Sequence, residues 1–127
     1  MEASFRARPM MTEKYAGLQP AERRMILITG SDMQATDEAA ATLFEAGHVP
    51  MMSEWLAFPL FAVARPNATK REEATAEFVH PIAERLLERC DAVLRTPGPS
   101  RAADAVVSAA QARGLRIFYD VQEAIEG

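Results

Sequence analysis

The run Met25-Ile-Leu-Ile-Thr-Gly30 constrains this chain more than any other stretch. Its apolar residues follow one another without alternation, which predicts a strand covered on both faces. Such strands belong to parallel sheets, where helices make the crossovers and bury both sides. The chain continues in that rhythm. A Gly-Ser-Asp turn leads into a predicted helix over about 33–46, with Ala40, Leu43 and Phe44 on one face and Gly47 at its end. His48-Val-Pro-Met-Met52 is a second, shorter strand, and Pro50 assigns it to a sheet edge.

Residues 53–68, "SEWLAFPLFAVARPNA", are apolar without clean periodicity and carry Pro59 and Pro66. A short helix and loop are expected there, covering part of a pocket or a subunit interface. A long helix over about 70–89, with a kink at Pro81, places Phe78, Ile82 and Leu86 at i, i+4 and i+8. Asp91–Leu94 is the third strand. A helix over 101–113 follows, with Ala103, Val106, Val107 and Ala110 as its apolar face and Gly114 at its end. Leu115–Tyr119 is the fourth strand, and Asp120 caps a short last helix.

This order predicts an α/β domain of the flavodoxin/Rossmann-like type. It has three layers and a small parallel sheet of four to five strands, joined by right-handed crossovers. Its 127 residues suffice for one core. Residues 25–127 form the domain, and 1–24, polar and aperiodic, read as a flexible arm, with Met10 or Met11 as an alternative natural start. The arm lacks the continuous apolar core of a signal peptide, and no stretch is long enough to span a bilayer. The net charge of -4 argues against nucleic acid as a partner. A single cysteine, Cys90, leaves no intrachain disulfide and fits a reducing cytoplasm. With only two histidines beside it, no metal site is expected. No cofactor is implied either.

In open parallel sheets, ligands sit outside the strand C-termini where strand order reverses. With the first strand central, that crevice lies between Gly30-Ser31-Asp32 and Thr96-Pro-Gly-Pro-Ser100. Gly30, Ser31, Gly98 and Ser100 are therefore candidate ligand contacts. Ser100 opens a helix whose first amides can hold a phosphate, although the same hydroxyl serves equally as a plain N-cap. Gly30 fits a turn as well as a ligand. Asp104, one turn into that helix, is either a nucleophile or acid facing the crevice or a complement to the helix dipole. His80, with Glu84 at i+4, is a charge-tuned pair or a surface histidine. Glu54 and Trp55 follow the second strand and can line the pocket; Trp55 either stacks on a planar ring or joins the core. His48 follows a helix end, where histidine often bonds the last carbonyls. Cys90 reads as a buried, unactivated thiol.

The segments "ILITGS", "LFEAGHVP", "LLERCDAVLR", "PGPSRAADAV" and "ARGLRIFYD" resemble, in order and spacing, the nucleoside 2-deoxyribosyltransferase-like superfamily, including its small bacterial relatives. The resemblance covers roughly Met25 to Ile125. It implies a flavodoxin-like sheet, assembly into a homo-oligomer (dimer or tetramer), and a nucleoside or nucleotide as the small-molecule partner. In active members a glutamate on the helix after the Pro-Ser loop attacks C1′ of the sugar and displaces the base, a retaining transfer through a covalent glycosyl intermediate. A serine of that loop, corresponding to Ser100, binds the phosphate of nucleotide substrates. Two departures stand out. Val106 occupies the glutamate's place, and Ala83 that of an aspartate in the preceding helix. Asp104 is the only acid near the lost position, and two residues of helix turn it by about 200°. The expected function is nucleoside or nucleotide binding with N-glycosidase or transferase chemistry if Asp104 substitutes. The alternative is an inactive nucleotide-binding or oligomeric interaction module.

Overall fold

The computed structural model describes residues 22–67 and 78–127. Among them the chain runs β1 (Met25–Thr29), α1 (Met33–Glu45), β2 (Val49–Met51), α2 (Ser53–Ala64), α3 (His80–Leu87), β3 (Ala92–Arg95), α4 (Arg101–Ala112), β4 (Arg116–Phe118) and α5 (Val121–Glu126). The strands form one four-stranded sheet in the order β2-β1-β3-β4, parallel throughout. This is the expected α/β architecture, flavodoxin/Rossmann-like and three-layered, with Pro50 on an edge strand. The expected arm lies mostly outside the described residues, as does the first part of the long helix expected over 70–89.

β1 is central because its sequence suits only that position. Ile26, Leu27 and Ile28 are all within 1% of complete burial, each contributing about 1.5–3 kcal/mol by leaving water. Ile26 and Ile28 pack with Leu94, Phe118, Leu43 and Ala124 under α1 and α5. Leu27 points the opposite way, with Val93, Ala83, Leu87, Val106 and Ala110 under α3 and α4. Strand periodicity thus feeds two cores from three consecutive residues.

Helix ends follow local chemistry. Asp32, Ser100 and Asp120 each accept backbone N–H groups as N-caps of α1, α4 and α5. Gly47 and Gly114 adopt φ +97° and +76°, and the residues after them, His48 and Leu115, donate to the Leu43 and Ala110 carbonyls at 3.0 Å. Both helices therefore close with the same left-handed turn, which points the chain straight into β2 and β4.

Three local expectations need correction. Phe44 is not on the buried face of α1: it is 60% exposed, and Thr36, Ala39, Ala40 and Leu43 are buried instead. In and before α3 the buried residues are Val79, Ala83 and Leu87, one position after the expected triplet, which is half-buried. Helix tilt decides which flank of an apolar stripe is covered, and both helices have apolar residues on each flank. Before Pro81, the residues Phe78 and Val79 take π-type helical backbone running directly into α3, so the proline stands in a continuing helical stretch at a wide turn, the setting in which a kink was expected. His48 does not bond helix carbonyls through its ring. It is buried, and its Nδ1 accepts the Arg24 backbone N–H at 3.0 Å.

The N-terminal end of the sheet is closed by charged groups stacked on an aromatic ring. The guanidinium groups of Arg24 and Arg116 lie 5.7 and 4.7 Å from the Phe118 centroid, and both donate to the Gly127 backbone oxygen. The opposite, C-terminal end carries the loops after the strands.

Candidate functional site

The strand order reverses between β1 and β3, so the loops that follow these strands face one another. β1 ends at Thr29, whose carbonyl accepts both the backbone N–H of Thr96 (3.0 Å) and its hydroxyl (3.4 Å). This pair ties the two loops at their base. Gly30 is required here for space: a Cβ on it would fall far inside 3.0 Å of the Thr96 hydroxyl oxygen and 3.2 Å from Thr96 Cβ. Thr96 is 5% exposed, so it cannot simply swing into solvent. The floor of the crevice is therefore filled by protein, and Gly30 is a packing residue at its base.

Above that floor the loops stay close. A Cβ on Gly98, whose φ is +110°, would lie 3.7 Å from Ser31 Oγ. The structure thus brings together Gly30, Ser31 and Gly98, with Ser100 two residues further along the loop. Ser100 Oγ accepts the Ala103 N–H at 3.0 Å, the ordinary capping bond. The amides of Arg101 and Ala102 precede the first intrahelical donor and have no partner within the helix. The cap and the anion-holding geometry coexist, since the serine hydroxyl still has its proton to donate.

Asp104 stands in the first turn of α4, as its reading as a complement to the helix dipole expects, and it has a partner that the sequence did not indicate. Its Oδ1 pairs at 3.0 Å with Arg95, which lies at the end of β3 and is 11% exposed. Arg95 also donates to the Thr96 carbonyl at 2.5 Å. Asp104 thereby neutralises an otherwise nearly buried cation, and the pair braces the start of α4 against the loop.

Val106 and Ala83 line the same groove, between α3 and α4, together with His80, Glu84 and Ala102. The two positions where the resemblance calls for carboxylates thus meet across about 220 Å³ of largely apolar space. His80 and Glu84 stand at its edge, with no hydrogen bond or ion pair between them, contrary to the charge-tuned pair. Glu54 opens α2 directly after β2, and burial pushes its carboxyl above the usual range, partly offset by the bond to its own backbone N–H. Trp55 is 44% exposed and so is not ordinary core. Glu54 and Trp55 share the C-terminal end of the sheet with the loops but stand over its β2 edge.

A larger cavity, about 530 Å³, opens on the other face beside the same loop. Leu94, Thr96 and Pro97 form one wall, Ala35, Glu38 and Thr42 of α1 a second, and Tyr119 and Asp120 a third. The Tyr119 ring is 57% exposed. Thr96 and Pro97 belong to the loop that the sequence indicated, whereas Tyr119 and Asp120 were not among the candidate ligand contacts; they directly follow β4, and the strand-end rule that selected the Ser100 loop selects them as well. Arg95 was missed for another reason: a buried arginine at a strand end has no local signature.

Among the described residues there is no group of histidine, cysteine, aspartate or glutamate fit to hold a metal ion. Nor is any helix among them long and apolar enough to cross a membrane. No protein-family model and no curated protein matches this chain.

Proposed function

We propose that this protein is a binding module for a nucleoside monophosphate or a closely similar phosphorylated nucleoside, and that it leaves the glycosidic bond intact. The observation that carries the reading is the position of the Thr96–Ser100 loop. It lies at the reversal of strand order and shares Thr96 and Pro97 with the 530 Å³ cavity. That volume lies within the range of small-ligand pockets. In this reading the Ser100 hydroxyl and the Arg101 and Ala102 amides hold the phosphate. The base stacks on Tyr119, and Glu38 and Asp120 accept from its amino groups or from the sugar hydroxyls.

Loss of chemistry is supported by the same geometry. Glycosyl transfer needs a carboxylate within reach of C1′. Asp104 is engaged with Arg95, and positions 83 and 106 present alanine and valine. The lone cysteine and the acidic balance suit a cytoplasmic setting without nucleic acid.

The test is a thermal-shift titration with nucleosides and nucleoside monophosphates, run beside an assay for free base. A ligand at a hundredfold excess over its Kd stabilises by about 2.7 kcal/mol. The monophosphates should raise Tm, the nucleosides less so, and Ser100→Ala and Tyr119→Ala should each diminish the shift. No base should be released. Base release abolished in Asp104→Asn would replace this reading with an enzyme, and no shift with any compound would end it.

A further inference from the structure

The walls of the 530 Å³ cavity present mostly acceptors, because the protons they carry are already committed elsewhere. Both of its threonine hydroxyls point their protons away from it. Thr42 Oγ1 donates to the Glu38 carbonyl at 3.0 Å, and Thr96 Oγ1 to the Thr29 carbonyl at 3.4 Å. A hydroxyl has one proton, so each offers the cavity only lone pairs. At the strand ends the Thr96 and Tyr119 N–H groups are taken by the Thr29 carbonyl and Glu123 Oε1, and Pro97 has none.

Glu38 and Asp120, on different walls, are acceptors by nature. Glu38 Oε2 takes the Gln34 side-chain amide at 3.3 Å, and Asp120 Oδ1 takes the Gln122 N–H at 3.0 Å. Among the described residues the second oxygen of each, Oε1 and Oδ2, accepts from no protein group. Among them, too, no lysine, arginine or histidine lines this space, and the Tyr119 phenol is its one side-chain donor.

We infer that the cavity selects nucleotides whose base carries an exocyclic amino group, with Glu38 and Asp120 as the residues that set the preference. The inference rests on the nucleotide-binding reading above and assigns the two carboxylates to the base. Cytosine and adenine put an amino group where uracil and hypoxanthine put a carbonyl oxygen. An amino group supplies the walls with the donors they lack. A carbonyl in the same place would displace donating water from two carboxylates and return only lone pairs. Sugar hydroxyls do not exploit such a wall, because a hydroxyl rotates to donate or accept as its surroundings require. A surface stripped of donors discriminates only against a rigid group, and the base edge is the rigid part of a nucleotide. The two ends of the site therefore make opposite demands: the Ser100 loop needs an anion that accepts, and the cavity needs a base that donates.

The experiment is isothermal titration calorimetry of the full chain with cytidine, uridine, adenosine and inosine monophosphates. The first should bind tighter than the second, and the third than the fourth, each by about fivefold or more. Glu38→Gln and Asp120→Asn keep the shape of each side chain and add an amide donor; asparagine also remains a good helix N-cap. Each should narrow both preferences, and the double variant, with wild-type circular dichroism, should bring them to about one. Uridine and inosine monophosphates bound as tightly as their partners overturn the inference, as do preferences that the double variant leaves intact. Equal binding within each pair, weakened in the 2′-deoxy forms, overturns it by moving the carboxylates to the sugar. If none of the four binds, the nucleotide reading falls and this one with it; binding without preference removes this one alone.

Discussion

Replacing Gly30 with alanine isolates the contact that closes the base of the crevice. The added Cβ would collide with the Thr96 hydroxyl oxygen and stand 3.2 Å from Thr96 Cβ and 3.4 Å from Thr36 Cγ2. Ordinary contact begins near 3.4 Å, so only the hydroxyl presents a severe clash. Thr96 cannot retreat as a whole, because its backbone N–H is bonded to Thr29. Relief requires rotating the hydroxyl away, which gives up its bond to the Thr29 carbonyl, about 1 kcal/mol. Residual crowding in a site this buried adds roughly 1–3 kcal/mol. Against this, Gly30 is not among the glycines at positive φ, so alanine regains about 0.4–1 kcal/mol through the unfolded chain.

The net cost of Gly30→Ala is therefore about 1–3 kcal/mol, visible in urea unfolding as a midpoint shift of roughly 0.5–2 M. In a Thr96→Ala background the hydroxyl is gone and only the 3.2 Å approach remains, so the same change should cost about zero. The two substitutions should thus show a coupling of roughly 1–3 kcal/mol. Equal penalties in both backgrounds, or a Gly30→Ala protein within about 0.5 kcal/mol of wild type, would refute the close-approach argument.

Two further predictions concern buried titratable groups. Burial, reinforced by the Arg24 charge, holds the His48 imidazole below its usual pKa. The unfolded chain therefore binds the proton more readily, and stability should fall as pH drops below about 6.5 toward the folded value. Thermal unfolding between about pH 8 and pH 5 should show that loss in the wild type and a reduced one in His48→Asn, whose amide oxygen takes the place of Nδ1 as acceptor for the Arg24 N–H; equal slopes would contradict it. Burial first and Asp91 second push the Cys90 thiol up to about 11. Alkylation at pH 8 should accordingly be slow in the native protein and fast in urea, and labelling of the native protein at the rate of a free thiol would contradict that.

Much of the candidate site was legible because it is built from short-range rules. Ser100 is recognisable as a cap from its own neighbours, and the Gly30 and Ser100 loops follow once β1 is read as central. The 530 Å³ cavity was not legible, since Leu94, Thr42 and Tyr119 meet only through the packing of α1 and α5 on one face of the sheet. Asp104 shows the same limit: its place in the first turn of α4 is local, whereas its partner Arg95 is chosen by where β3 ends.

What the sequence determined by itself is the order of elements, their caps and the covered face of α4. Ala103, Val106, Val107 and Ala110 are buried as their spacing requires, because the other apolar row on that helix, Ala102, Ala105 and Ala109, offers only methyl groups against their two valines. Tertiary structure decided the contests that spacing leaves open. Phe44 faces solvent while Leu43 beside it is buried, because α1 can turn only one flank toward β1 and β2. Gly30 is needed for a residue 66 positions away, and positions 83 and 106 meet in one groove. α2 carries apolar residues on both sides, and the fold of one chain covers only one of them. Each of these depends on which surfaces meet in space, and periodicity along a single helix or strand carries no record of its neighbour.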